Sequence, residues 1–194
     1  GPYVPTLSTT QPTPVLLPAG LTTGRDITGV NLFENVRKQG ALNLDGQSWA
    51  EVHDNASLDV TTGLTIEFWV YNVGADGNAM GYFSKWDSVI SEQSFVFLQA
   101  SETAGTFYLR ISGSIEGTGT GNNLILGWNH LIGTYDGTTQ KTFVNGIMTN
   151  SNPQIGSIDQ TTSVVKIGSY ITNEYPGQIA QPRIYNRALS AEEI

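Results

Sequence analysis

Residues 64–71 read Leu64-Thr65-Ile66-Glu67-Phe68-Trp69-Val70-Tyr71. Leu64, Ile66, Phe68 and Val70 fall on one side of a period of two; Thr65, Glu67, Trp69 and Tyr71 fall on the other. That alternation is the signature of a β-strand with one face in a core. The same reading extends outward along the chain. Phe107, Leu109 and Ile111 alternate with Tyr108 and Arg110, whereas Phe95 to Leu98 is apolar on both sides and belongs in the middle of a sheet. Leu124 to Tyr135 has room for a strand pair or one bent strand. Val164 to Ile167 and Gln178 to Tyr185 supply the last strands.

Turn chemistry punctuates these runs. Asp136-Gly137 and Asn145-Gly146 bracket Lys141 to Val144 and predict tight hairpins on both sides. Asp45-Gly46, between Ala41–Leu44 and Trp49–His53, predicts a third. The glycine-rich stretch Gly113–Gly121 lacks the Lys-Ser/Thr ending of a phosphate loop and reads as a strand-to-strand loop. Only Ser190 with Glu193 has the capping-box pattern of a helix start, so a short C-terminal helical turn is expected. About ten short strands in one domain predict an all-β, two-sheet antiparallel sandwich.

Composition agrees. Of 194 residues, 39% are hydrophobic, only 13% are charged and 22 are glycine, which suits short strands and many turns better than helices. The net charge of −8 argues against nucleic acid and anionic membranes, because phosphate-rich partners are held by clustered Lys and Arg. Without cysteine there is no disulfide framework and no thiolate metal site. No apolar run approaches the roughly 20 residues of a membrane span, so no membrane insertion is expected.

Residues 1–19 read as a separate piece. Gly1-Pro2 looks like the remnant of a cleaved tag, and Tyr3 to Pro18 carries Pro5, Pro12, Pro14 and Pro18 among threonines, the composition of an extended arm. Residues 20–194 form the domain.

Several fragments together resemble the laminin-G-like jelly-roll family of the concanavalin A-like lectin/glucanase superfamily, found in bacterial surface and phage structural proteins. They are residues 64–70, Gly127-Trp128-Asn129-His130, Gly133 to Gly137, Phe143 to Gly146, Ile167-Gly168, and the run from Gly177 through Ser190. The likeness spans about residues 40–194 and implies a concanavalin A-like jelly roll, with Trp69 and Trp128 filling space near sheet edges. Family members often carry Ile-Asp-Glu in the final strand, where the acid helps hold calcium; here Ile179-Ala180-Gln181 stands instead. The resemblance thus leaves room for at most a single calcium ion as cofactor, with Asp45 and backbone carbonyls as donors. Asp76, Asp87, Asp136 and Asn145 are further loop oxygen donors.

The residues offer little for catalysis. Related sandwich glucanases use Glu-x-Asp-x-x-Glu on one strand, and no Glu here has an Asp two positions later; Glu67 is flanked on its face by Thr65 and Trp69. His53 and His130 lack the partners of a metal site and read as strand residues with local hydrogen bonds. No Gly-x-Ser-x-Gly elbow occurs. The aromatics beside polar turns, Tyr82, Trp86, Tyr170 and Tyr175, together with Asp87, Asn173 and Glu174, are the candidate ligand-binding residues. The reading is a non-catalytic, lectin-like module for glycans, cell-surface material or a protein partner, extracellular on a bacterial cell surface or a virion. Its rival is a structural or assembly domain (decoration, fibre or spacer) of a phage particle or surface array, making oligomer contacts through the Pro/Thr arm. Deleting residues 3–18 separates the two: unchanged assembly on sizing and unchanged ligand recovery would count against the docking role.

Overall fold

The computed structural model describes residues 21–23, 40–74 and 79–194. Among the described residues, fifteen strands occur in this order: β1 (Leu21–Thr23), β2 (Leu42–Asn43), β3 (Ala50–Val52), β4 (Leu64–Asn72), β5 (Met80–Trp86), β6 (Gln93–Ser101), β7 (Ala104–Ile111), β8 (Ser114–Gly119), β9 (Gly127–Tyr135), β10 (Thr139–Val144), β11 (Ile147–Pro153), β12 (Val165–Ile167), β13 (Ser169–Tyr170), β14 (Asn173–Glu174) and β15 (Gln178–Tyr185). They build a seven-stranded sheet, β1-β3-β12-β5-β6-β7-β8, facing a six-stranded sheet, β11-β10-β9-β4-β15-β2; β13 and β14 form a small hairpin. The pairings are antiparallel throughout. Residues 1–19, with the arm and its boundary, lie outside the described residues, as does Asp76.

The alternation read on residues 64–71 is realised as β4, between β9 and β15 in the six-stranded sheet. Leu64, Ile66, Phe68 and Val70 have no exposed surface. Phe68 meets three rings of the facing sheet: Tyr82 at 5.7 Å, Phe83 at 6.1 Å and Phe97 at 5.4 Å between centroids, the last two edge-on. Edge-to-face contacts set the positive ring edge against the negative face and add to the apolar burial. Phe97 in turn stacks on Phe107. The strand β6, apolar on both sides as expected of a central strand, buries Phe95 and Phe97 in this core and Val96 and Leu98 in a second cluster on the outer surface of its sheet.

At one end, the fully buried Lys85 ammonium reaches Asp54 at 2.8 Å and Asp59 at 2.5 Å, pinning the 54–59 segment across the sandwich. A buried cation persists only where carboxylates replace its water shell.

Three expectations are corrected. Asp45-Gly46 does not close a hairpin: β2 pairs with β15 and β3 with β12, so the chain crosses from one sheet to the other there. Asp45 instead caps a local turn, its Oδ1 accepting from Gln47 N (2.9 Å) and Ser48 Oγ (2.6 Å). The glycine-rich stretch is the edge strand β8, not a loop; a Cβ on Gly117 would sit 2.5 Å from the Tyr108 ring, so glycine lets that ring lie over the backbone. At the C-terminus, the Glu193 carboxylate accepts from Ser190 N as in the capping pattern, but Glu193 N donates to the Ser190 backbone carbonyl, which closes a turn, and no helix develops. The hairpins at Asp136-Gly137 and Asn145-Gly146 join β9, β10 and β11 as expected.

Phe68→Ala removes the ring that three others contact. It should destabilise the fold by about 3–5 kcal/mol, read as a lower urea midpoint with an unchanged slope.

Candidate functional site

The seven candidate ligand residues separate into three places. Tyr82 and Tyr175 are interior: they meet edge-on at 4.9 Å, and the Tyr175 hydroxyl donates to the Tyr71 carbonyl at 2.5 Å. Burial pushes both phenol pKa values up. Neither ring is available to a ligand, which corrects the expectation of one shared stacking face. Trp86 and Tyr170 lie in the outer cluster with Val96, Leu98, Tyr108 and Ile171, Trp86 buried and Tyr170 partly so. Asp87 follows β5 and is engaged locally; the Ser88 hydroxyl and amide hold its carboxylate below the ordinary value.

Asn173 and Glu174 are elsewhere again, and with them is Asp45. The hairpin β13–β14 folds back over β5, where Gly81 makes room: a Cβ there would fall 2.2 Å from the Ser169 carbonyl carbon. Its tip, Ile171-Thr172, carries Ile171 at φ 57°, a left-handed conformation uncommon for a β-branched residue. Ile171 is anchored in the Trp86 cluster, which holds the following residues in place. Thr172, Asn173 and Glu174 thereby face the Asp45-Gly46-Gln47 turn across an open cavity of about 360 Å³, whose remaining walls are Met80 and Pro176. Gln47, Thr172, Met80 and Pro176 escape a reading of the sequence, because the turn and the hairpin are more than 120 residues apart and nothing local marks their approach.

The cleft is mainly polar. Asp45 holds its carboxylate ionised, its pKa lowered first by the Ser48 hydroxyl and then by the Gln47 amide. Two carboxylates, two amides and a hydroxyl beside Met80 and Pro176 can accept and donate hydrogen bonds to a polyhydroxylated ligand while the apolar side chains contact its C–H groups. Calcium requires six to eight oxygens, carboxylates among them; Asp45 and Glu174 are the acids lining the cleft, and among the described residues no group of three or more His, Asp or Glu side chains gathers as a metal site. The Gln181 side-chain oxygen, beyond Ala180, accepts from Arg183 instead.

On the outer face of the six-stranded sheet, Glu67 is fully committed. Oε1 accepts from Arg183 Nη1 (2.8 Å) and pairs with His130 Nε2 (3.0 Å), while Oε2 accepts from the Tyr185 hydroxyl (2.9 Å). Burial raises its pKa, but the His130 hydrogen bond, the Arg183 charge and the Tyr185 hydroxyl outweigh it, leaving the value lowered from 4.5. Trp69 stacks on His130 at 4.7 Å and Tyr71 meets Trp128 edge-on at 5.5 Å. Both tryptophans point outward and are exposed, which corrects their expected role as fillers.

The architecture and cleft define a two-sheet jelly-roll sandwich with a loop-built recess at its rim. Residues 44–194 match the family model described as the concanavalin A-like lectin/glucanases superfamily, and the chain belongs to that family, its laminin-G-like branch. The strand β1 extends the seven-stranded sheet upstream of the matched residues. No curated protein sequence matches the chain. Among solved structures, it is similar to domain 4 of AbnA, a GH43 extracellular arabinanase from Geobacillus stearothermophilus, in complex with arabinotriose. That match has 19% identity and a TM-score of 0.64, covering 79% of this chain and 73% of the other. It is also similar to the binding domain of botulinum neurotoxin serotype G, at 15% identity and TM-score 0.60, covering 79% of this chain and 40% of that one. The binding domain of Paraclostridial Mosquitocidal Protein 1 matches at 19% identity and TM-score 0.59, over 79% and 41%.

Because the Glu67 pKa is lowered on folding, its ionised form stabilises the fold above pH 4.5, and this contribution vanishes as pH falls through the folded value. Glu67→Gln should therefore lower stability by about 1–3 kcal/mol at pH 7. The gap from wild type should close on acidification, as followed by thermal melts from neutral pH downward.

Proposed function

We propose that this domain is a non-catalytic binding module for glycans or glycan-bearing cell-surface material, acting outside a bacterial cell or on a virion. The observation that carries the reading is the rim cleft, where Asp45 and Gln47 from one segment meet Thr172, Asn173 and Glu174 from another over Met80 and Pro176. Carboxylates and side-chain amides are the groups that pair with sugar hydroxyls, and the two apolar side chains offer a surface for ring C–H groups. Supporting it, one structural neighbour is named for its complex with arabinotriose, and others are named as binding domains, one of them of a botulinum neurotoxin.

Catalysis is disfavoured by what the carboxylates do. Glycoside hydrolysis needs two carboxyl groups free to protonate and to attack. Glu67, outside the cleft, is saturated by three donors, and of the two cleft carboxylates Asp45 is tied to its own turn, which leaves Glu174 without a second free acid beside it.

Calorimetry with arabinotriose and a glycan array tests the proposal. At least one oligosaccharide should bind, and Asn173→Ala with Glu174→Ala should weaken it about tenfold or more, the effect of losing hydrogen bonds to a charged and a neutral partner. If hydrogen bonds from these side chains alone hold the sugar, adding EDTA should leave the affinity unchanged. An array without any bound sugar, with or without calcium, would remove the reading.

A further inference from the structure

The exposed aromatic strip on the outer face of the six-stranded sheet is on the surface opposite the core and takes no part in the rim cleft. Trp69 and Tyr71 project from β4 beside His130 and Trp128 of β9, in the register Trp69↔His130 and Tyr71↔Trp128. Trp69, Tyr71 and Trp128 are 37%, 40% and 39% exposed. Beyond the last paired residues, Val73 and Leu126 continue the apolar surface at 46% and 63% exposure, Leu126 lying against Gly74. Isolated exposed apolar residues are ordinary, but a contiguous run of this length marks a contact surface.

The rings are held. His130, on which Trp69 stacks, is fixed by Glu67, and Glu67 is fixed by Arg183 and Tyr185. On the other side of β4, the cross-strand neighbour of Trp69 is Ala180, a side chain too small to cover an indole, and that of Tyr71 is Gln178. A rigid set of ring surfaces flanked by an amide and a guanidinium binds with little ordering cost.

Charge chooses the occupant. The strip itself is close to neutral, because Arg183 compensates Glu67. A net charge of −8 sets any second copy of this chain, and any anionic membrane or nucleic acid, against its repulsion. A neutral sugar chain meets no such repulsion, and its C–H faces suit ring surfaces, as its hydroxyls suit Gln178 and Arg183. We infer that Trp69, Tyr71 and Trp128 form a second carbohydrate-binding surface, a stacking platform for a neutral polysaccharide chain. It depends on none of the cleft residues.

Native affinity gels cast with soluble neutral polysaccharides (hydroxyethyl cellulose, arabinoxylan, linear arabinan), with alginate as the anionic control, test this on the full chain. At least one neutral polymer should retard the protein. Trp128→Ala and Tyr71→Ala should each weaken that retardation about tenfold, as loss of an aromatic anchor does, with Trp128→Phe retaining most of it and the cleft variant Asn173→Ala/Glu174→Ala still retarded. Aromatic variants that migrate as wild type, with retardation lost only in the cleft variant, would overturn the platform and leave the cleft proposal standing. Equal retardation by alginate would overturn the neutral-chain assignment. So would light scattering that finds a dimer dissociated by Trp128→Ala, since the occupant would then be a second copy. A wild type that no polymer retards would overturn the platform, while calorimetry with short oligosaccharides judges the cleft separately.

Discussion

The closure of two sheets on one aromatic centre is the constraint on which everything else depends. Phe68, from β4, inserts against Tyr82, Phe83 and Phe97 of the opposite sheet, and Phe97 passes the contact on to Phe107. Because side chains alternate along a strand, seating Phe68 inward leaves no choice for its neighbours: Glu67, Trp69 and Tyr71 must point outward. A slip of one residue in register would bury a charge and expose four apolar side chains. Core and outer surface are thus one decision made twice over.

That coupling explains the outer face of the six-stranded sheet. Outward-facing Glu67 sits among strands, almost wholly shielded from water, so it gathers donors from β9 and β15: His130, Arg183 and Tyr185. The network orders His130, and His130 orders Trp69. The acid of this strand is structural, and the residues around it acquire fixed positions as a consequence.

The rim cleft obeys a different logic. It is made by segments that the sheets merely bring to the same edge. The Asp45 turn is where the chain leaves one sheet for the other, and the Thr172–Glu174 hairpin rests on the backbone of β5 over Gly81, with Ile171 anchored in a left-handed conformation. Strain at such a tip is sustained by the surrounding packing, a pattern common where loops are held for recognition.

Much of the architecture was legible in the residues alone, because it rests on local rules. The period of two on 64–71 marks β4, Asn145-Gly146 and Asp136-Gly137 mark their hairpins, and the double-sided apolar run at 95–98 marks an inner strand. Where local rules misled, a distant partner had prevailed. Asp45-Gly46 is good hairpin chemistry, yet β2 gains more by pairing with β15, and Gly113–Gly121 becomes a strand because β7 offers it an edge. Tyr82, Trp86, Tyr170 and Tyr175 look alike beside polar turns, but only the packed sheets decide that two are core and two lie outside it. Local alternation and turn preference are properties of neighbouring residues, so the chain states them directly. Which rings stay in water, and which acids and amides face one another, follows from contacts between segments far apart in the chain, and only the assembled sandwich decides that.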